Sequence, residues 1–403
     1  MTGIWVVSGA SSAVGSVRGL KKPHTVADVA GSAPPPSSLE SRAVQTVNEY
    51  LQLLVETGGS DLHLKAGGPA YVRIDGDLKP VTKLPPLSLN DTQRMASEMM
   101  DARSKATFLE DNEADFAYAI SGIGRFRVNV FKQRGSTGAV CRRVLPGSQT
   151  FDALGMPAAV RKLAEEHRGL ILVTGPTGSG KTTTTAAMIS HINATRRCHI
   201  VTLEDPIEVM HRDDNAIIDQ REVGVDTDDF TTGLKSVSRQ DPDVIFIGEM
   251  RDIETVTAAL QAAETGHLVI STLHTTDARE TINRVVDMYP KEQQNQARLS
   301  LANSMKGIVC QRLVPRATGQ GRVAVVEVLV MTTRIYEFVM DPAQLPMIEE
   351  AIAEGGYYGM QTFDQHLLQL YVDGEVSLRD ALAAATNPHD FRVALRGAGL
   401  VAS

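Results

Sequence analysis

The fold of this chain is most clearly indicated by residues 170–182, Leu170-Ile-Leu-Val-Thr-Gly-Pro-Thr-Gly-Ser-Gly-Lys-Thr182. An apolar run of strand length comes first, and residues 175–182 then match the phosphate-binding pattern G-x-x-x-x-G-K-[ST]. A helical stretch, Thr183–Arg196, follows directly, so the motif lies between a buried strand and a helix, as the pattern requires. The sequence therefore predicts a nucleotide site in an α/β domain.

The residues of this loop are predicted to hold nucleotide phosphates. Glycines 175, 178 and 180 allow backbone N–H groups to turn toward phosphate oxygens, and the following helix adds its positive end. Lys181 supplies a positive charge for the β- and γ-phosphates, and the Thr182 hydroxyl can bind Mg²⁺. The predicted phosphate-binding residues are Gly175, Pro176, Thr177, Gly178, Ser179, Gly180, Lys181, Thr182 and Thr183.

Near-continuous apolar runs recur after this motif. They are His199–Leu203, Val244–Ile247, His267–Ser271 and Val323–Val326. Helical stretches such as Ile253–Thr265 separate several of them. Strands that are apolar on both faces and alternate with helices are typical of a parallel sheet covered on both sides.

Acidic groups follow two of these strands, in Glu204-Asp-Pro-Ile-Glu208 and Glu249-Met-Arg-Asp252. The carboxyl ends of parallel strands gather at the edge of a sheet where ligands bind. Carboxylates there can hold hydrated Mg²⁺ and orient or deprotonate an attacking water. Each cluster alone is equally consistent with a cap on the next helix, but two clusters after a phosphate loop favour the functional interpretation.

Histidines and arginines give further candidates. His267 and His274 lie at the two ends of one predicted strand. Both are consistent with hydrogen-bonded core residues, and His274 is equally consistent with a side chain that senses the γ-phosphate. Phosphoryl transfer often uses an arginine from elsewhere to neutralise charge. The candidate arginines are Arg125, Arg127, Arg134 and Arg142, and without other evidence they are interpreted as a solvated strand face.

The preceding part of the chain predicts a smaller α+β domain. The first expected element is an amphipathic helix in which Val44, Val47, Tyr50, Leu51, Leu54 and Val55 share one face. Expected strands are Asp61–Lys65, Ala70–Asp75 and Arg125–Phe131. A capping box at Ser88–Asp91 is expected to open a helix that runs through about Phe108.

Composition limits the classes of protein. The 403 residues carry a formal charge of −8, which excludes a global basic field of the kind that binds nucleic acid. The three cysteines are dispersed, so neither a disulfide framework nor a metal-binding Cys cluster is expected. No apolar run approaches the roughly 20 residues of a membrane span. We expect a cytoplasmic protein without a transmembrane segment and without direct nucleic-acid binding.

Together these segments resemble the type II/IV secretion-ATPase superfamily, and closely its PilT-type twitching-motility ATPases. The matching segments are Gly59–Leu64, Arg73–Asp77, Gly124–Asn129, Gly175–Thr182, Glu204–Glu208, Asp219–Val223, Asp241–Asp252, Ala263–Thr275 and Gly359–Gln365. The resemblance implies a PAS-like N-terminal domain joined to a RecA-like P-loop ATPase domain. It also implies ATP and Mg²⁺ as cofactors, a homohexameric ring, and work on a type IV pilus.

The implied organisation has four parts. They are a disordered Gly/Ser/Pro-rich tail over 1–41, the PAS-like domain over 42–147, a linker over 148–158, and the ATPase domain with a helical C-terminal region over 159–403. The implied partner is the inner-membrane pilus platform protein, which would place the chain at the inner face of the cytoplasmic membrane.

The resemblance also implies roles for single residues. Glu249 matches the Walker B glutamate, Glu208 the Asp-box glutamate and His274 the His box, with Glu204 as a further catalytic candidate. Mg²⁺ would be held by Thr182 and, through water, by Glu249. Arg125 and Arg127 are candidates for reaching the phosphates from the first domain. The alternatives are a pilus-assembly or secretion motor of the same superfamily, and a nucleic-acid translocase on a RecA-like core.

Overall fold

The computed structural model describes residues 46–74, 76–147 and 149–400. The tail predicted over 1–41 lies outside these described residues, as does Val44 of the first predicted helix.

The N-terminal part of the described chain is an antiparallel sheet packed against helices. Its elements are α1 (Val47–Glu56), β1 (Asp61–Leu64), β2 (Tyr71–Ile74), β3 (Asp77–Pro80), α2 (Leu89–Met99), α3 (Ala102–Asp111), β4 (Glu113–Ile120), β5 (Gly124–Gln133) and β6 (Ser136–Pro146). The strand order is β3-β2-β1-β6-β5-β4. The α+β class predicted for this part is confirmed.

Residue patterns explain these elements. On α1, Tyr50, Leu51 and Leu54 are completely buried, as their helical spacing requires. On β5, Phe126 and Val128 are buried and Arg127 between them is exposed, because successive side chains of a strand point to opposite faces.

The single helix predicted from Ser88 to about Phe108 is wrong. The capping box is present, since the Ser88 side chain accepts from Asp91 N–H and Asp91 accepts from Ser88 N–H. The helix ends at Met99, however, and the Asp101 side chain accepts from Ser104 N–H to begin a second helix. A second residue with a good N-cap side chain therefore divides the stretch.

The rest of the described chain forms a sheet with helices on both faces. Its first elements are α4 (Phe151–Leu154), α5 (Ala158–Ala164), β7 (Gly169–Thr174), α6 (Lys181–Thr195), β8 (His199–Glu204), β9 (Val209–Met210), β10 (Ile217–Glu222), α7 (Phe230–Val237), β11 (Val244–Ile247), α8 (Ile253–Glu264), β12 (Leu268–Leu273), α9 (Ala278–Asp287), α10 (Gln294–Ser304), β13 (Met305–Pro315) and β14 (Arg322–Val330). The helix α4 lies in the interval predicted as linker.

The sheet has the order β10-β8-β11-β12-β7-β13-β14. The strands from β10 to β13 are parallel, and every residue of β7, β11 and β12 is buried. This confirms the strands predicted from the apolar runs. The expectation that Val323–Val326 is also a parallel strand is wrong, because β14 pairs antiparallel with β13. The six residues 316–321 between these two strands are too few for a crossover, so the chain must turn back as a hairpin.

Helices cover the end of this sheet. They are α11 (Thr333–Met340), α12 (Ile348–Glu354), α13 (Phe363–Val372), α14 (Leu378–Ala384) and α15 (Pro388–Gly397), with 3-10 turns at Leu345–Met347 and Gly355–Tyr358. The Arg312 guanidinium lies 3.9 Å from the centroid of the Phe363 ring, and Val326 N–H donates to His366 Nδ1 at 2.9 Å. These contacts hold α13 on the sheet.

The cysteines are free thiols throughout the described part of the chain, which contains all of them. Cys141 and Cys310 are buried, and Cys198 is partly exposed. Burial raises the pKa of Cys141 to about 12 and also raises the pKa of Cys310. Among the described residues, no helix has the length and apolar character needed to cross a membrane.

Candidate functional site

The predicted phosphate loop leaves β7 and enters α6 at the carboxyl edge of the parallel sheet. Gly175 has φ +143, and a Cβ atom there would lie 2.5 Å from both the Gln311 carbonyl oxygen and Ser179 Oγ. Only glycine fits this backbone position. Gly180, with φ +95, is the N-cap of α6, so the positive end of that helix faces the loop.

Lys181 is held at the mouth of the loop. Its Nζ donates to the carbonyl oxygens of Gly175 at 2.7 Å and Pro176 at 3.2 Å, and lies 3.5 Å from His274 Nδ1. Burial lowers the pKa of Lys181, while the nearby carboxylates of Glu249 and Glu208 oppose that shift. The ammonium group is thus partly desolvated, and a phosphate would be a strong partner for it.

Glu249 lies next to this lysine, just after β11. Its Oε1 is 3.1 Å from His274 Nε2, and its Oε2 accepts from Arg251 Nε at 2.9 Å. One row of polar contacts therefore joins Lys181, His274, Glu249 and Arg251. The two strands that the sequence predicted to meet at this edge, β11 and β12, bring Glu249 and His274 together.

The two glutamates of the segment after β8 differ in environment. Glu204 is buried and accepts from Thr202 Oγ1 at 2.7 Å and Gln220 Nε2 at 3.1 Å, and burial raises its pKa. Glu208 is exposed and lines the same cleft as Glu249. Of the two, Glu208 is the carboxylate that solvent and a ligand can reach directly.

A cleft of about 680 Å³ collects most of the predicted residues. Its predicted lining residues are Thr177, Gly178, Gly180, Lys181, Thr182, Thr183, Glu204, Glu208, Glu249, His274, Arg127 and Arg142. Gly175 and Ser179 lie buried behind this lining. Arg127 and Arg142 come from β5 and β6, so the N-terminal part of the fold supplies one wall.

Other predicted residues lie elsewhere. The Arg125 guanidinium pairs with Glu222 at 2.7 Å, and its predicted contact with phosphate stays a prediction. His267 Nδ1 is 2.9 Å from the Ala262 carbonyl oxygen, at the opposite end of β12 from His274. Arg134 is not among the residues that line the cleft.

Arg251 and Arg322, which were not among the residues predicted for the site, also line the cleft. Arg251 lies two residues after Glu249 and was detectable as part of the same segment, whereas nothing in the sequence around Arg322 singles it out. The cationic lining residues Lys181, Arg127, Arg142, Arg251 and Arg322 suit a polyanion such as a nucleoside triphosphate. Thr182 and Glu249 offer the oxygen ligands that Mg²⁺ prefers beside phosphates.

Comparison with known proteins agrees with this geometry. The family model for type II/IV secretion system proteins matches residues 39–382. The type IV pilus retraction ATPase PilT of Pseudomonas aeruginosa is 42% identical over 345 residues, which covers 86% of this chain and 99% of that protein. The type IV pilus ATPase PilU of the same organism is 42% identical over 348 residues, covering 86% and 91%.

A solved structure gives the same result at the level of the fold. The crystal structure of the pilus retraction motor PilT with bound ADP has a TM-score of 0.79 and 44% sequence identity, covering 86% of this chain and 98% of that chain. The fold, the cleft and these relatives agree, and the chain belongs to the type II/IV secretion system protein family, where it is similar to the PilT-type ATPases.

Proposed function

We propose that this chain hydrolyses ATP to power the retraction of a type IV pilus. The observation that carries the proposal is one cleft in which His274 contacts both Lys181 and Glu249, and Arg127 from another sheet lines the same cleft. The similarity to PilT over 86% of this chain supports retraction as the work done.

The residues of the cleft have separable parts in this reaction. Lys181 and the backbone N–H groups of the loop hold the β- and γ-phosphates, and Arg127 adds positive charge from the other side. Glu249 orients the attacking water and takes its proton. His274, in contact with both Lys181 and Glu249, holds the ammonium group and the carboxylate in fixed positions relative to each other. Thr182 and, through water, Glu249 would hold Mg²⁺, which would supply charge neutralisation at the phosphates.

The proposal extends to assembly and location. We place the chain in a homohexameric ring at the inner face of the cytoplasmic membrane, with the pilus platform protein as partner. Its ATP turnover would move the N-terminal part and the ATPase part as rigid bodies. The formal charge of −8 argues against the alternative of a nucleic-acid translocase, which needs a basic channel.

Deleting the gene and imaging surface filaments tests retraction directly. We expect cells with excess filaments that no longer twitch, because assembly continues while removal stops. Complementation with the wild-type chain should restore twitching, and complementation with Glu249→Gln should not. Bare cells would instead assign the chain to pilus assembly.

A further inference from the structure

A buried ion pair joins the two sheets of the molecule beside the cleft. Arg125 on β5 donates from Nη2 to Glu222 Oε2 at 2.7 Å, and Glu222 is the last residue of β10. The side chain of Glu222 is only 3% exposed and that of Arg125 18%. A carboxylate this deeply buried depends on its partners, so the contact is sensitive to the position of β5.

The same carboxylate also holds the backbone next to a proposed catalytic residue. Glu222 Oε2 accepts from Ile207 N–H at 3.0 Å, and Ile207 directly precedes Glu208. One oxygen atom therefore accepts hydrogen bonds from both the Arg125 guanidinium and the backbone N–H of the residue before Glu208. A displacement of the Arg125 guanidinium would therefore be transmitted to the backbone next to Glu208 through the Glu222 side chain alone.

Gln220, two residues earlier on β10, holds the rest of this segment. Residues two apart on a strand share a face. Gln220 Nε2 donates to Glu204 Oε1 at 3.1 Å and to the Val209 carbonyl oxygen at 2.9 Å, while Gln220 Oε1 accepts from His211 N–H at 2.8 Å. The residues 204–211 are thus bound by consecutive side chains on one face of β10.

A second contact with the N-terminal sheet follows Glu208 immediately. The strand β9 pairs in parallel with the end of β6, in register Leu145 with Val209, and Gly147 N–H donates to the Met210 carbonyl oxygen at 2.9 Å. Glu208 is therefore flanked on one side by a direct contact to the N-terminal part and on the other by a link to Arg125 that runs through Glu222.

We propose that Arg125 and Glu222 are positioning residues that couple the placement of the N-terminal part to the placement of Glu208. The inference rests on the proposed ATPase function and concerns the same site. It gives Arg125 a role through Glu222 and Ile207. Because a misplacement of about 1 Å at a reacting centre costs about 100-fold in rate, a small movement of Glu208 is enough to control turnover.

The test compares Arg125→Gln and Glu222→Gln with the matched control Arg94→Gln, which removes a charge from an exposed ion pair with Glu98. We expect Arg125→Gln to lower kcat about tenfold or more, with the Kd for a non-hydrolysable ATP analogue within about twofold of wild type. Adding Glu222→Gln to Arg125→Gln should cause no further loss, because both changes break one link. Arg94→Gln should leave both values unchanged.

Hydrogen exchange of the peptide that spans residues 204–211 supplies a readout that does not need hydrolysis. We expect faster exchange at Ile207 in Arg125→Gln and Glu222→Gln, and wild-type exchange in Arg94→Gln. Unchanged exchange in Arg125→Gln, or a weakened Kd for the analogue with normal kcat, would overturn the inference and make Arg125 a phosphate ligand or a purely structural residue. Failure of wild type to hydrolyse ATP would overturn the proposed function instead, and the exchange result would still decide whether the link exists.

Discussion

At the scale of single residues, the cleft holds charged side chains close together where water reaches them only in part. Lys181 and Glu249 both contact His274, at 3.5 and 3.1 Å, yet their expected contributions differ. In the reaction we propose, Lys181 binds phosphate in the ground state, whereas Glu249 acts on water only during the chemical step. Substitutions at these two residues should therefore separate binding from turnover.

We expect Lys181→Ala to raise the Kd for ATP by about 100-fold, since it removes a desolvated counter-charge worth about 3 kcal/mol. Glu249→Gln should leave that Kd within a few-fold and lower kcat by about 1,000-fold, because the amide cannot accept the proton of water. Calorimetric titration with a non-hydrolysable analogue and a phosphate-release assay measure the two effects. Normal turnover in Glu249→Gln would show that its role is misassigned.

Glu327 on β14 gives a prediction about stability. The residue is 6% exposed, its carboxyl group accepts from Ala278 N–H at 2.9 Å, and burial raises its pKa from 4.5 to about 7. Between these values the folded state holds a proton that the unfolded state has lost. The contribution of Glu327 to stability is therefore lost as the pH rises through this window.

Glu327→Gln keeps an acceptor for Ala278 N–H and cannot ionise. We expect the variant to be more stable than wild type at pH 8 by up to about 3 kcal/mol and similar to it at pH 4.5. Urea unfolding at the two pH values measures this difference. Equal stabilities at pH 8 would mean that the carboxylate is better solvated than its burial indicates.

The ion-pair partner of Arg125 could not be predicted from the sequence. The sequence identified the arginine on a strand and the acidic residues after other strands. It could not show that the partner of Arg125 is Glu222, because they are 97 residues apart and meet only through the packing of two sheets. By contrast, the placement of Glu249 and His274 at one edge of the sheet was predictable, since both follow strands that the sequence assigned to one parallel sheet.

At the scale of elements, local signals predicted the helices and strands better than they predicted pairing. The apolar runs identified β7, β8, β11 and β12, because a buried strand leaves an uninterrupted apolar stretch in the sequence. The direction of β14 relative to β13 depends on the length of the turn between them. The apolar residues of β14 do not determine it, because their pattern is the same as that of a parallel strand.

The attachment of α13 to β14 gives a prediction at this scale. Val326 N–H donates to His366 Nδ1, which can accept only while that nitrogen is unprotonated, and burial lowers the pKa of His366 from 6.5 to about 4. Between those values the unfolded state binds a proton that the folded state does not. The contribution of His366 to stability is therefore lost as the pH falls through this window.

His366→Asn keeps an acceptor near the position of Nδ1 without a titrating ring. Between pH 7 and pH 5 we expect wild type to lose about 2 kcal/mol relative to this variant. The pH dependence of Glu327 has the opposite sign, so the comparison must be between wild type and variant at each pH. Parallel stability curves for the two proteins would contradict the assigned protonation state.

At the scale of the whole molecule, the cleft is built from two sheets whose classes could be predicted, whereas their mutual placement could not. The loop residues and the carboxylates come from one sheet, and Arg127 and Arg142 come from the other. Helical and strand periodicity predicts each layer from nearby residues. The contacts that join the layers are not predicted in this way. One of them, the pairing of β9 with β6, involves a two-residue strand that is too short to have a periodic signal.

The thiols described above have a practical consequence for watching this molecule at work. Cys141 and Cys310 are buried, and their raised pKa values suppress thiolate formation. Alkylating reagents should therefore not modify them in the native chain. Cys198, which directly precedes β8, also has its pKa raised by burial, but it is partly exposed and is the thiol that a maleimide dye can approach. A fluorophore could thus be attached at one known point of the chain without first removing the other cysteines.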